Sequence, residues 1–233
     1  MDLAKGTAIT AKRKQFVDNR PPGLYVRFVK KKIAVNRPAL EARQKILWAA
    51  FEEFYKNGFQ GGSINHIIEK AGSTKGGLFH HFRDKLALGY SVVDEIIYPE
   101  LKKNWFDRLA DSIDPINDIK ALFRRAMKED VESGRFIQGC PLNNLAQEMS
   151  PLDEGFRKRI ERIYEEWRGS LEAALARGIK AGKVRKDVSA QNAATFILVV
   201  QMGIVSTVKN SQNPELMTKA GGELFSYLDS FTS

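Results

Sequence analysis

The stretch SINHIIEKAGSTKGGLFHHFRDK, which runs from Ser63 to Lys85, determines how the rest of the chain is interpreted. Apolar residues spaced at i, i+3, i+4 and i+7 predict a short helix with one buried face; they are Ile64, Ile67, Ile68 and Ala71. Ser63 precedes that pattern and can cap the helix by accepting a bond from a free backbone N–H. Gly72 then ends the helix.

A second short helix follows, and either Ser73 or Thr74 can cap it. Leu78 and Phe82 fall on its inward face. A helix, a turn of about three residues that contains glycine, and a second helix form a helix-turn-helix unit. Since the second helix of such a unit fits the major groove of DNA, the pattern predicts a DNA-binding protein.

The same segment resembles the DNA-binding motif of the TetR family of transcriptional regulators. The matching residues are Ile67, Ala71, Gly72, Lys75, Gly76, Leu78, Phe79, His81, Phe82 and Lys85. A helix predicted over 40–57 also matches, so the resemblance extends from Arg43 to about Leu88. The sequence departs from the family pattern at Ile68 and Ser73, where the family usually has Ala and Val.

The resemblance implies an all-α fold with an N-terminal three-helix domain that contains the helix-turn-helix, over 39–88. It implies a larger helical domain over 89–233 that binds a ligand and forms a homodimer. The expected function is a ligand-responsive transcriptional regulator, most often a repressor, which releases a near-palindromic double-stranded operator when a small-molecule effector binds. The sequence does not identify that effector.

Within the motif, Lys75 is the best candidate to read a base, because lysine can donate to O6 and N7 of guanine. Asn65 matches a position that contacts bases in the family. The other candidates match phosphate-contacting or groove-lining positions, cap a helix, or let the backbone approach DNA; they are Ser63, Thr74, Gly76, Gly77, Phe79, His80, His81 and Lys85. His81 could instead be a packing residue, and Lys85 a solvated surface lysine.

Positive charge is concentrated at the N-terminus. The chain has 233 residues and a formal net charge of +9, of which residues 1–38 contribute +8 through ten Lys/Arg and two acidic residues. We interpret this segment as a flexible basic arm that contacts phosphate or enters the minor groove. The alternatives are a disordered tail and an N-terminus without a role in the working protein.

Composition excludes several other classes of protein. Cys140 is the single cysteine, so no intrachain disulfide can form, and together with the absence of a signal-peptide pattern this predicts a cytoplasmic protein. The three histidines lack the Cys or acidic partners of a zinc site. No catalytic triad, P-loop or dinucleotide fingerprint is recognisable, so we predict neither an enzyme nor a cofactor.

The larger domain contains an unusually apolar helix, predicted over about 189–209. A helix that is apolar on nearly every side must be covered on every side, and a second copy of the chain would cover it economically. The candidate dimer interface consists of Phe196, Val200, Ile204, Leu224 and Leu228. The alternative is a central core helix in a monomer. The apolar run is too short for us to predict a membrane span.

Aromatic residues in the larger domain are candidates for the wall of an effector pocket between helices. They are accompanied by one methionine and the single cysteine; the set is Trp105, Phe106, Phe123, Phe136, Cys140, Met149, Trp167 and Phe196. The more ordinary interpretation of each is a place in the core or at an interface. Cys140 could sense oxidants or electrophiles if the pKa of its thiol is depressed.

Two rival functions remain open at this stage. One is a DNA-binding protein of the same fold that takes no small ligand. The other is a helical ligand-binding protein whose basic arm binds a membrane. We further predict a kink or break near Pro99, because proline removes a backbone donor and clashes one turn back.

Overall fold

The structure, a computed structural model, describes residues 37–232 of the chain. Those residues form an all-α fold, as predicted, and their only β-type pairing is an isolated bridge between Val184 and Thr232. The helices in chain order are α1 (Arg37–Asn57), α2 (Ile64–Ala71), α3 (Lys75–His81), α4 (Lys85–Val92), α5 (Tyr98–Leu101), α6 (Asp107–Leu109), α7 (Pro115–Ser133), α8 (Pro141–Met149), α9 (Glu154–Lys180), α10 (Ala190–Ser211) and α11 (Glu215–Asp229). The predicted arm lies outside the described residues except for Arg37 and Pro38, which begin α1.

Helices α1 to α3 pack around a small apolar core of their own. Leu47 of α1, Ile67 of α2 and Leu78 of α3 are completely buried. The buried stripe of α1 consists of Leu47, Ala50, Phe51 and Phe54, which recur at helical spacing. This core holds α3 at the surface, where its outward face is available.

The helical segment that contains Pro99 continues without a break, but its regular α-helical hydrogen bonding is disturbed in the region where a kink or break is predicted. Two π-helical segments, π1 (Val93–Ile97) and π2 (Lys102–Phe106), flank α5. At the end of π1 the N–H of Tyr98 bonds to the carbonyl of Val93, five residues back. The wider turn gives the proline ring the room that a regular α-turn would deny it, so the chain bulges locally instead of ending the helix.

Helix α9 forms the centre of the larger domain and packs against α7, α8 and α10. Its apolar stripe is buried; it consists of Phe156, Ile160, Ile163, Trp167, Leu171 and Ala174. Asp153 caps α9 by accepting a bond of 2.8 Å from the N–H of Phe156.

Helices α10 and α11 show which of the predicted interface residues remain accessible. Leu224 and Leu228 are buried within their own chain, because α11 packs against α7 and α10, so these two residues are withdrawn from the interface. By contrast Phe196 is 46% exposed and Val199 is 62% exposed on the outer face of α10. Among the described residues, α10 has 22 residues and is long and apolar enough to cross a membrane, so the length argument against a span is wrong; core helices of soluble proteins meet the same criterion.

Candidate functional site

Capping residues define where the first helix of the helix-turn-helix begins and ends. The Ser63 hydroxyl accepts a bond of 3.4 Å from the N–H of His66 at the start of α2. At the other end Gly72 adopts a left-handed conformation with φ of +60°, and its N–H bonds to the Glu69 carbonyl. Glycine reaches this conformation at little cost, so Gly72 allows the sharp turn into α3.

Helix α3 presents one face to the core and the other to solvent. Leu78 is fully buried, whereas Lys75 and His80 are exposed and Phe79 is 39% exposed. Thr74 caps the helix by accepting a bond of 3.0 Å from the N–H of Gly77. Of the predicted DNA-contacting residues of α3, Lys75, Gly76, Phe79 and His80 are therefore exposed, whereas Gly77 and His81 are half-buried.

The two glycines of α3 have different surroundings. A Cβ on Gly77 would lie 2.8 Å from the Ser73 hydroxyl and 3.3 Å from the Thr74 hydroxyl, so a side chain there would disturb the cap. A Cβ on Gly76 would meet no atom closer than 4.0 Å. Gly76 leaves open space at the surface that another molecule can approach closely.

The remaining predicted contact residues lie near this face. Asn65 is exposed on α2, and His81 is half-buried with its ring centroid 5.1 Å from that of His80. The ammonium group of Lys85 donates to the Gln60 carbonyl at 3.1 Å and lies 5.0 Å from the centre of the Phe59 ring. An ammonium group has three N–H donors, so the bond to Gln60 leaves two for a phosphate contact.

Burial lowers the pKa of Lys85, and the nearby carboxylates of Glu148 and Glu53 oppose the change. The lysine therefore has a structural role at the junction of α1, α2 and α4. Its role in binding DNA stays a prediction.

One connection between the helix-turn-helix and the larger domain could not be predicted from the sequence. The carboxylate of Glu148, near the end of α8, accepts bonds of 2.8 Å from the N–H groups of both Phe59 and Gln60, which lie between α1 and α2. It also lies over Gly58, where a Cβ would come within 3.0 Å of the carboxylate oxygen. Gly58 has φ of +76°, so both the backbone conformation and the close approach of Glu148 favour glycine.

Two further contacts join the motif to the larger domain. The guanidinium of Arg43 on α1 pairs with both carboxylate oxygens of Glu95 on π1, each at 2.6 Å. The Tyr55 hydroxyl donates to the Gly139 carbonyl at 2.5 Å. A change in π1 would therefore act on α1 through Arg43, and a change in the segment before α8 would act on α1 through Tyr55.

Replacing Glu148 with alanine should weaken this connection and lower the free energy of unfolding by about 2 kcal/mol, because two backbone donors lose a charged acceptor. For a chain of this length the melting temperature should fall by about 4–8 °C. Differential scanning calorimetry measures the change, with Glu165→Ala on the exposed face of α9 as the matched control. A melting temperature of Glu148→Ala within one degree of the control would contradict this role.

Four of the predicted pocket residues form one aromatic cluster. The ring centroid of Trp105 lies 5.4 Å from that of Phe123 and 5.2 Å from that of Trp167, and Phe106 lies 5.7 Å from Trp167. Trp105 and Phe106 belong to π2, so the π-turn places these two adjacent rings against α9 together. We refer to Trp105, Phe106, Phe123 and Trp167 as the aromatic cluster.

The other predicted pocket residues lie elsewhere. Phe196 packs on Tyr227 of α11 at 4.6 Å between ring centroids and faces outward, so it is removed from the predicted pocket wall. Phe136 is half-buried in a 3₁₀ turn (Arg135–Ile137), and Met149 is buried at the end of α8, directly after Glu148.

Cys140 precedes α8 and is its N-cap residue. Burial raises the pKa of its thiol, although the N–H groups of Asn143 and Leu142 favour the thiolate and partly oppose the rise. A reactive cysteine needs a depressed pKa, so this environment favours an inert thiol.

These features define a helix-turn-helix DNA-binding protein with an attached helical domain. Comparison with known sequences specifies the class further. The family model described as "Bacterial regulatory proteins, tetR family" matches residues 46–88, and "Tetracyclin repressor-like, C-terminal domain" matches residues 115–222. The chain belongs to the TetR family, and it is a DNA-binding transcriptional regulator.

Individual relatives agree with this assignment over most of the chain. The chain is 27% identical over 174 residues to the HTH-type transcriptional repressor DhaR of Mycobacterium sp. (strain GP1), covering 74% of this chain and 85% of DhaR. It is 29% identical over 175 residues to the HTH-type transcriptional regulator LmrA of Bacillus subtilis, covering 73% and 89%. A crystal structure of a TetR transcriptional regulator from Chloroflexus aurantiacus superposes with a TM-score of 0.74 at 25% identity, covering 84% and 98%.

Proposed function

We propose that the protein is a homodimeric repressor that binds a near-palindromic operator in the cytoplasm and leaves it when a small molecule binds the larger domain. The exposed face of α3, with Lys75, Gly76, Phe79 and His80 directed away from the buried Leu78, is the observation that carries this proposal. In a symmetric dimer, two such helices would enter successive major grooves about 34–36 Å apart.

The outer face of α10 supports the dimer. Phe196 and Val199 are large apolar residues exposed one turn apart, and Val200 and Ile204 are half-buried beside them. Gly203 lies one turn after Val199, and a Cβ there would meet no atom within 4 Å. An apolar helix face with a small residue lets another helix approach closely, so a second α10 is the occupant that we propose.

The connection through α8 supports effector control. The aromatic cluster lies on π2, α7 and α9, and π1 and α8 contact the motif through Glu95 and Glu148. A small molecule that separates the aromatic rings would shift the helices that hold them. It would release DNA to the extent that it binds the shifted arrangement more tightly than the DNA-bound one.

A screen of aromatic small molecules against the purified full chain tests effector control. At one hundred times its Kd, a ligand of the folded state should stabilise the protein by about 2.7 kcal/mol, which raises the melting temperature by about 5–11 °C. The same compound should lower operator affinity in a gel-shift titration. Compounds that raise the melting temperature at saturation but leave DNA binding unchanged would contradict the proposal.

A second candidate is a regulator of the same fold that takes no small ligand. The rings of the aromatic cluster contact each other directly. This packing supports the second candidate, because an ordinary hydrophobic core is packed in the same way. The screen separates the two candidates, since this regulator would bind its operator while no compound changed its melting temperature.

A further inference from the structure

Positive charge is distributed unevenly between the basic arm, residues 1–38, and the folded DNA-binding domain. The arm carries a net charge of +8. The three-helix domain over 39–88 holds seven Lys/Arg and five Asp/Glu, a net charge of only +2, and residues 89–233 carry −1. Duplex DNA presents one phosphate charge for about every 1.7 Å of its axis, and neutralising these charges supplies much of the affinity of DNA-binding proteins. Most of the net positive charge that the chain can offer to DNA therefore lies in the arm.

Carboxylates of the protein already engage part of the positive charge of the three-helix domain. Three of its seven cations form ion pairs, which are Arg43 with Glu95, Lys70 with Glu52, and Arg83 with Asp84. The field of a paired cation is largely cancelled by its partner, so such a pair attracts phosphate less than an isolated cation does. The exposed Lys75 is predicted to contact a base. The folded domain alone thus offers little charge to the phosphates around α3.

The arm joins the fold beside the helix-turn-helix. Helix α1 begins at Arg37, and its first turns line one surface cleft together with the turn between α2 and α3; the residues of this cleft are Glu41, Ala42, Lys45, Ala71, Gly72 and Ser73. Helix α3 begins two residues after that turn, at Lys75. The chain upstream of Arg37 therefore starts next to the end of α3 that carries the candidate base contact.

Three consecutive lysines, residues 30–32, are close to this point along the chain. The run ends five residues before Arg37, and five residues span at most about 18 Å. One turn of DNA is about 34–36 Å long, so these lysines are within reach of phosphates about half a turn away from α3. No acidic residue lies between Asp18 and Glu41 to compete for them.

The residue types of the arm favour phosphate over base edges. Six of its ten cations are lysines. Lysine binds phosphate as a compact point charge, whereas the planar fork of arginine is better suited to recognition through two parallel bonds. Phosphate contacts carry no direct sequence information. Contacts of this kind add affinity for DNA of any sequence and leave the discrimination between sequences to α3.

We propose that the basic arm is a second DNA-binding surface, in which the lysines of residues 30–32 contact the phosphates that flank each half-site. The arm raises the affinity for DNA without adding sequence specificity. This inference rests on the proposed function, because the flanking phosphates are those next to a helix α3 that lies in the major groove.

A salt titration of DNA binding by the full chain tests the inference. The variant Lys30→Gln/Lys31→Gln/Lys32→Gln removes three charges from each arm, and fluorescence anisotropy with a random-sequence duplex measures affinity between about 20 and 150 mM KCl. Each phosphate contact contributes about 0.9 to the slope of log K against log salt concentration, so a dimer that loses six contacts should have a slope shallower by about 3–5. The variant Lys30→Arg/Lys31→Arg/Lys32→Arg keeps the charge and should bind as the unmodified chain does.

A matched control removes the same charge elsewhere. Lys180, Lys183 and Lys186 are exposed at the end of α9 and just after it. Phe156, near the start of α9, contacts Phe59 of the DNA-binding domain at 4.8 Å between ring centroids, and Lys180 lies about 36 Å further along the helix. Replacing these three lysines with Gln should change the slope by less than about one. A slope of the arm variant equal to that of this control, or to that of the unmodified chain, would overturn the inference.

Two further measurements separate phosphate contact from other roles of the arm. The affinity for a genomic fragment selected by the full chain should fall together with that for the random duplex, so their ratio should stay within about threefold. A loss confined to the selected fragment would overturn the inference, because the arm would then read bases. Pelleting with vesicles of phosphatidylcholine and phosphatidylserine that the Gln variant loses, with an unchanged DNA slope, would also overturn it in favour of a membrane-binding arm.

Operator release is recorded separately, so that failure of this inference differs from failure of the proposed function. If the unmodified chain prefers the selected fragment and a compound releases it, but the Gln variant keeps the slope, the repressor stands and the role of the arm falls. If the slope on the random duplex becomes shallower as expected, but no compound releases the selected fragment, the role of the arm stands and effector control falls.

Discussion

Lys75→Ala should weaken specific operator binding by about 1–3 kcal/mol for each half-site, because a lysine that donates to a guanine edge is lost. Lys75 is the first residue of α3 and is exposed, with Thr74 capping the helix directly before it. A dimer presents two copies, so the loss for the whole complex should be about 2–6 kcal/mol. The variant should also become tolerant of substitution at one base position in each half-site.

Gel-shift titrations at fixed salt measure this effect, because affinities for DNA depend strongly on salt concentration. Lys219→Ala is the matched control, since Lys219 is an exposed lysine on α11, remote in sequence from the motif. It should bind the operator as the unmodified chain does. If Lys75→Ala and Lys219→Ala bind equally well, Lys75 does not read DNA.

Val199→Asp should break the proposed dimer. Val199 is the most exposed of the large apolar residues on α10, and the twofold symmetry would place two new carboxylates in one apolar interface. The effective cost of burying an unpaired charge is several kcal/mol, so dimer affinity should fall by at least about a hundredfold. Operator binding should fall by about 10²–10⁴, because the advantage of two linked half-site contacts is lost.

Analytical ultracentrifugation measures the change in mass. Val131→Asp provides a matched control, because Val131 is an equally apolar residue that is 44% exposed on α7. It should remain dimeric. A Val199→Asp protein that sediments as the unmodified chain does would contradict the assignment of α10 to the interface.

Much of the DNA-binding motif could be predicted from the sequence because its determinants are local. Ser63, Thr74 and Gly72 act within three or four residues of their own positions, and each does in the structure what its residue type favours. The buried face of α3 follows from helical spacing alone, so the accessible face was predictable as well.

Other features depended on contacts between distant segments. Glu148 bonds to the N–H groups of Phe59 and Gln60 across almost ninety residues, and nothing in the local pattern of α8 indicates it. The sequence placed Leu224 in a candidate dimer interface, but it could not show that this residue packs within its own chain. Periodicity shows which face of a helix is apolar and leaves open what covers that face.

The conformation of the helix around Pro99 could not be predicted from the sequence for the same reason. Sequence rules predict that proline disturbs a helix, and a kink, a break and a π-turn all relieve the clash. In the structure the π-turn π1 precedes Pro99, and a second π-turn, π2, carries Trp105 and Phe106, which contact Trp167 of α9. The composition of the aromatic cluster was therefore partly predictable, whereas its arrangement required the fold.

The central claim is that two copies of α3 read one DNA duplex. Hydroxyl-radical footprinting on a genomic fragment selected by the full chain tests it most directly. We predict two protected stretches related by a twofold axis, with centres about 34–36 Å apart, and loss of both stretches with Lys75→Ala. A single protected stretch without twofold symmetry, or the same protection with Lys75→Ala as with the unmodified chain, would contradict the claim.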